Sequence, residues 1–82
     1  MERTEVESRV KKVTAEVLGV EEADIKTDSR FVDDLGAESV QSLELVAAFE
    51  DEFDIEMEED AALKVQTVGN AVEFIRKHLE SK

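Results

Sequence analysis

Ser39 is the residue on which chemistry in this chain can be built. It stands in Asp33-Asp34-Leu35-Gly36-Ala37-Glu38-Ser39-Val40, where an aperiodic stretch gives way to the longest periodic segment of the sequence. The first turn of a helix carries unpaired N–H groups and partial positive charge, so a phosphate on that hydroxyl would be well placed. Gly36 allows the backbone to turn sharply just before it, and Ala37 keeps the approach open. A serine at a helix start is more often simply an N-cap, and that plainer reading stands beside the chemical one.

Other chemistry finds little support. The chain has no cysteine, hence no disulfide, no thiolate metal site and no thiol nucleophile. If it handles thioesters, the sulfur comes from outside the chain. His78 is the only histidine and nothing links it to a nucleophile, so it reads as a surface residue that compensates a helix dipole. Carboxylates cluster at Glu21-Glu22, Asp33-Asp34, Glu50-Asp51-Glu52 and Glu58-Glu59-Asp60. Acid–base catalysis by such pairs needs a pocket that a small domain hardly builds, so no enzyme is expected. The calcium-loop pattern around a central glycine is not met, so no dedicated metal site is expected, only weak cation binding.

Eighty-two residues, 41% of them hydrophobic, with three glycines and no proline, suit one small helical domain over 1–82. The formal net charge of −12 argues against nucleic acid and anionic membrane surfaces and for partners with basic patches. No apolar run reaches the roughly 18 residues of a membrane span and no signal peptide opens the chain, so membrane insertion is not expected and a cytoplasmic, monomeric protein is.

A first helix is predicted from about Thr4 to Leu18, with Val6, Val10, Val13 and Val17 as its inner stripe. Thr4 with Glu7 fits a capping box, and Gly19 suits the position just past the end. Lys11 and Lys12 read as a solvated face. From Val20 to Glu38 a long ordered loop is expected, anchored by Ile25, Phe31, Val32 and Leu35, with a short helical turn around Asp24–Ile25 or Thr27–Ser29.

The second helix should run from Ser39 or Val40 to Phe53, with Leu43, Leu45, Val46, Phe49 and Phe53 on the core face. Ser42 falls on that core side, where a small polar residue could leave a gap. Another face carries Val40, Glu44, Ala47 and Asp51, small apolar residues among acids, a pattern that suits docking onto a basic partner. Ile55 and Met57 should point inward. A short third helix is predicted over Asp60–Val65, and a last one from a Thr67 cap to about Leu79, burying Val68, Ala71, Val72, Ile75 and Leu79.

Phe31-Val32-Asp33-Asp34-Leu35-Gly36-Ala37-Glu38-Ser39-Val40, followed by Leu43-Glu44-Leu45-Val46 and Glu50-Asp51-Glu52-Phe53-Asp54, resembles an acyl carrier protein. The likeness covers essentially the whole chain, from the opening helix through Gly19-Val20 to the Thr67-Val68 helix. It implies an all-α four-helix bundle with three longer helices and a short third. It implies that Ser39 receives 4′-phosphopantetheine from coenzyme A through a phosphopantetheinyl transferase, and that the arm's thiol carries acyl groups as thioesters. It implies an acyl cavity near Ser42, Val46, Phe49, Met57, Val65 and Ala71. It also implies a surface of Glu38, Val40, Glu44, Ala47, Glu50 and Asp51 for acyl-transferring and chain-elongating enzymes of fatty acid, lipid or related biosynthesis.

The chain departs from the family pattern at three places. Glu38-Ser39-Val40 replaces the usual Asp-Ser-Leu, Gln41 replaces a common acid, and Ala47 replaces a common methionine, a soft and adaptable contact. These point to a specialised carrier rather than a housekeeping one. Two alternatives remain: a polyketide or peptide-assembly carrier, and an unmodified acidic interaction module with weak cation binding, whose Ser39 only caps its helix.

Overall fold

The valine spacing of the opening segment produces the first helix. A computed structural model, which describes residues 2–57 and 65–80, places α1 at Arg3–Leu18. Val6, Val10 and Val13 are buried on its inner side, with Val17 half-buried a turn further on. Thr14 joins them, wholly buried, because its Oγ1 donates to the Val10 carbonyl of its own helix at 2.7 Å. Gly19 ends α1 as expected, at φ 69° with its N–H returned to the Ala15 carbonyl at 2.9 Å. The start of α1 differs from the expected capping box. Glu2 is the N-cap and Thr4 lies inside the helix. Glu7 is engaged elsewhere, accepting from Thr27 Oγ1 at 2.6 Å and pairing with Lys11 Nζ at 3.4 Å.

The segment after α1 is an ordered loop with one 3-10 turn at Glu22–Asp24. Ile25 and Phe31 are buried anchors and Leu35 is half-buried. Val32, expected to be a fourth anchor, is 60% exposed. The N–H groups of Asp34 and Leu35 both return to the Arg30 carbonyl, and the tight turn they close carries Val32 outward. The loop is also stitched to the segment that opens the last helix. Phe31 N–H donates to the Gln66 carbonyl, Val68 N–H to Ser29 and Gly69 N–H to Thr27, at 3.0, 3.0 and 2.7 Å. The result is an isolated antiparallel bridge between Arg30 and Thr67. Gly69 permits the contact, since a Cβ there would meet the Thr27 carbonyl oxygen at 3.0 Å.

The second helix, α2, spans Ser39–Phe53 as predicted. Leu45, Phe49 and Phe53 are buried and Val46 is half-buried, but Leu43 is 63% exposed. At 3.6 residues per turn Leu43 points about 120° round the helix from Phe49, outside the stripe that meets the core. Ile55 and Met57 then turn inward, as expected.

The last helix, α3, spans Val68–Glu80. Thr67 caps it, accepting the Asn70 N–H at 3.1 Å. Val68, Ala71, Val72 and Ile75 are wholly buried, while Leu79 is half-buried. His78, expected on the surface, is half-buried in the last turn: it stacks on Phe74 with ring centroids 4.4 Å apart and sets Nδ1 3.2 Å from the Phe74 carbonyl oxygen. Helix α1 packs on both α2 and α3, so the described residues form an all-α core. The short third helix predicted over Asp60–Val65 lies outside the described residues, except for Val65, which is not helical.

Candidate functional site

The local sequence places Ser39 one step further into the helix than a cap. Glu38 is the N-cap, and it forms a reciprocal capping box with Gln41, whose Oε1 accepts the Glu38 N–H at 2.9 Å. Gln41, which departs from the family pattern, therefore keeps the acceptor that a cap partner needs without a second negative charge beside Glu38. Ser39 is the first helical residue, it is exposed, and its hydroxyl has no hydrogen-bond partner among the described residues. The first-turn N–H groups of Ser39 and Val40 lie outside the capping box and have no partner within the helix. Capping does not explain this serine.

The loop delivers the chain to that point by a turn that uses Gly36 at φ 72°, with its N–H on the Val32 carbonyl at 3.2 Å. A side chain at Gly36 would meet open space, so the conformation and not crowding calls for glycine. Ala37 is buried and donates to the Phe31 carbonyl at 2.8 Å, which ties the residue before the cap to the core.

Beside this helix lies a cleft of about 720 Å³. Five of the six predicted cavity residues line it: Ser42, Val46, Phe49, Met57 and Val65. Ala71 does not. It is wholly buried on the inner stripe of α3, closed off by its own core neighbours. Phe31 and Phe49 form an aromatic floor, with ring centroids 6.4 Å apart at 51°. Ser42 is half-buried, with its hydroxyl on the Glu38 carbonyl at 3.3 Å, so the small polar residue on the core side does border free volume. At about 100° per residue, Ser39 falls between the directions of Val46 and Leu43 on α2, and both of those line the cleft. The serine therefore stands at the head of the cleft-facing sector.

The predicted docking residues separate into two groups. Glu38, Val40, Glu44, Ala47 and Asp51 are exposed, Val40 at 64%. Glu50 is half-buried, and its Oε2 accepts the Met57 N–H at 3.1 Å, so its carboxylate is committed to holding the cleft wall. Sequence reasoning did not foresee that Val32 and Leu43 would be the exposed apolar lips of the cleft, or that Arg30 and Gln66 would border it. Glu38 is not among the residues usually favoured as N-caps, so its capping box with Gln41 carries no ordinary sequence signal. Among the described residues no His, Asp and Glu cluster could hold a metal ion, and no helix is long and apolar enough to cross a membrane.

Compared with protein families, the chain matches the model described as "Phosphopantetheine attachment site" over residues 8–75. The match spans most of α1, the loop, all of α2 and most of α3. Domains of this kind receive a 4′-phosphopantetheine prosthetic group from phosphopantetheinyl transferases and act as carriers in contact with enzymes rather than as catalysts. On that match the chain belongs to the phosphopantetheine-binding carrier family.

Proposed function

We propose that this chain is an acyl carrier protein, that Ser39 is its attachment residue, and that it serves fatty acid, lipid or related biosynthesis in the cytoplasm. The observation that carries the reading is Ser39 itself, exposed in the first turn of α2 and without a partner for its hydroxyl among the described residues. The residues fit the group. Ser39 Oγ is free to form the phosphodiester bond as the nucleotide portion of coenzyme A leaves. The neighbouring N–H groups and helix dipole favour the resulting negative charge.

Once attached, the arm supplies the thiol that this cysteine-free chain lacks, and an acyl group is held on it as a thioester. Val46, Phe49, Met57 and Val65 give a hydrocarbon chain an apolar site beside the serine. Ser42, at the border of the cleft, leaves room near its mouth. Val40, Glu44, Ala47 and Asp51 face outward for enzymes with basic docking patches. The Gly36-Ala37 pair and the net charge of −12 favour an acyl carrier over a peptide-assembly carrier. The substitutions around the serine favour a specialised role over bulk synthesis.

Intact mass before and after incubation with coenzyme A, magnesium and a promiscuous phosphopantetheinyl transferase tests the assignment. A gain of one phosphopantetheine that disappears in Ser39→Ala is expected. No gain on folded protein, with the transferase active on a control carrier, would favour the unmodified interaction module.

A further inference from the structure

The cleft is bordered by polar residues as well as apolar ones, and they differ in what their side chains already hold. Ser42 Oγ donates to the Glu38 carbonyl at 3.3 Å, and Glu50 Oε2 accepts the Met57 N–H at 3.1 Å, so both are committed to backbone. Arg30 and Gln66 are not. Gln66 accepts the Phe31 N–H through its main-chain carbonyl, and its side-chain amide has no partner among the described residues. Arg30 makes one contact, from Nη1 to Asp33 Oδ2 at 3.2 Å. An exposed ion pair of this kind contributes little, and it leaves the other guanidinium N–H groups for a further acceptor.

The backbone fixes both residues where they stand. Arg30 N–H donates to Asp34 Oδ2 at 2.8 Å, and its carbonyl accepts the N–H groups of Asp34 and Leu35. The bridge between Arg30 and Thr67 then brings Gln66 onto the neighbouring stretch of chain. A guanidinium and a primary amide are thereby planted on the loop side of the cleft, while α2 contributes Leu43, Val46 and Phe49. Arg30 is the one basic residue on the cleft among the described residues, in a chain of net charge −12.

Each class of acyl group meets this lining differently. A saturated chain packs on the α2 side but dehydrates the donors of Arg30 and Gln66 and returns no hydrogen bond. A carboxylate-bearing chain meets Asp33, Glu50 and the negative field of the whole molecule. An uncharged oxygen is the complement. A ketone or hydroxyl oxygen accepts from the guanidinium, and a hydroxyl can also donate to Gln66 Oε1. We infer that the acyl group held in this cleft carries a ketone or hydroxyl along its chain, and that Arg30 selects for it by donating to that oxygen. This deepens the proposed carrier function and rests on it: it names the class of acyl group and the residue that reads it.

The full chain is loaded at Ser39 from acyl-coenzyme A thioesters by a promiscuous transferase, with a medium-length saturated chain or with the same chain bearing one ketone at successive carbons. Hydroxylamine cleavage of the thioester reads how well each chain is held, because a chain seated in the cleft draws the thioester against α2. On the parent, at least one ketone chain should be cleaved no faster than the saturated chain. In Arg30→Met, which keeps an apolar stem and removes the donors, cleavage of that ketone chain should rise about tenfold, as expected for losing a hydrogen bond from a charged donor. The saturated chain on the same variant should change little, which controls for any effect on the fold. An equal change for both chains, no change for either, or faster cleavage of every ketone chain than of the saturated chain on the parent would each overturn the inference. Protein that does not load sinks the carrier reading and this inference with it, whereas loaded protein that fails the comparison overturns the inference alone.

Discussion

Thr27 Oγ1 and Glu7 Oε1 lie 2.6 Å apart, so a hydroxyl from the loop is held by a carboxylate of α1. The Thr27 hydrogen bond, aided by Lys11, holds the Glu7 carboxyl below its ordinary value of 4.5. A depressed carboxyl contributes stability that is fully present above its unfolded value and is lost as pH falls through the folded one. Thr27→Val should therefore cost about 1 kcal/mol near pH 7 and progressively less as Glu7 becomes protonated. Chemical denaturation of both proteins at pH 7 and at pH 3 checks this; an equal loss at both would show that packing, not the carboxylate, carries the effect.

Ser39 and its neighbour should part company in stability. Ser39→Ala removes a hydroxyl without partners and should shift unfolding by no more than about 0.5 kcal/mol. Glu38→Ala removes the true cap and should cost about 0.5–2 kcal/mol. Urea midpoints for the two variants decide it, and the reverse order would return Ser39 to a capping role.

Gly69→Ala should destabilise the fold by about 1–3 kcal/mol, the cost typical of forcing extra atoms into a close contact. Helix propensity alone predicts the opposite, a gain of about 1 kcal/mol from replacing glycine by alanine. Thermal unfolding of this one variant sets the two effects against each other, and a raised midpoint would mean that Thr27 can move aside freely.

Leu43→Ser probes the cleft without disturbing the core, because Leu43 is already exposed. The unloaded protein should unfold within about 0.5 kcal/mol of the parent. Loading with a hydrocarbon acyl group should raise the parent's unfolding temperature, since each buried methylene contributes about 0.8 kcal/mol. The rise should be smaller in Leu43→Ser. An identical rise in both would place the chain away from this lip.

The periodic segments were legible because burial repeats where the helix repeats. Val6, Val10 and Val13, the bounds of α2, and Val68 with Val72 and Ile75 all followed from spacing. Periodicity fails at a cleft, where an apolar residue faces neither core nor bulk water. Leu43, which helical spacing puts on the core face, and Val32, expected to anchor the aperiodic loop, are both exposed and border the cleft. Ala71 differs in the other direction: it is small and inward-facing, yet it belongs to the wholly buried core stripe of α3 and does not line the cleft, a distinction no spacing rule reveals. Thr14 was passed over because its hydroxyl is satisfied within its own helix, a bond that only the backbone can offer. The exposure of Ser39 at the head of α2 follows from the helix bound, but its place as first helical residue depends on which neighbour takes the cap.

The three backbone hydrogen bonds that join Thr27, Ser29 and Phe31 to Gly69, Val68 and Gln66 have a dynamic consequence. A loop this long would ordinarily exchange its amide protons quickly and independently of the helices. Here the Phe31, Val68 and Gly69 protons are shared property, released only when the loop and the start of α3 separate. The two therefore open as one cooperative unit, and protection in the segment leading to Ser39 follows the stability of a helix thirty residues further along the chain.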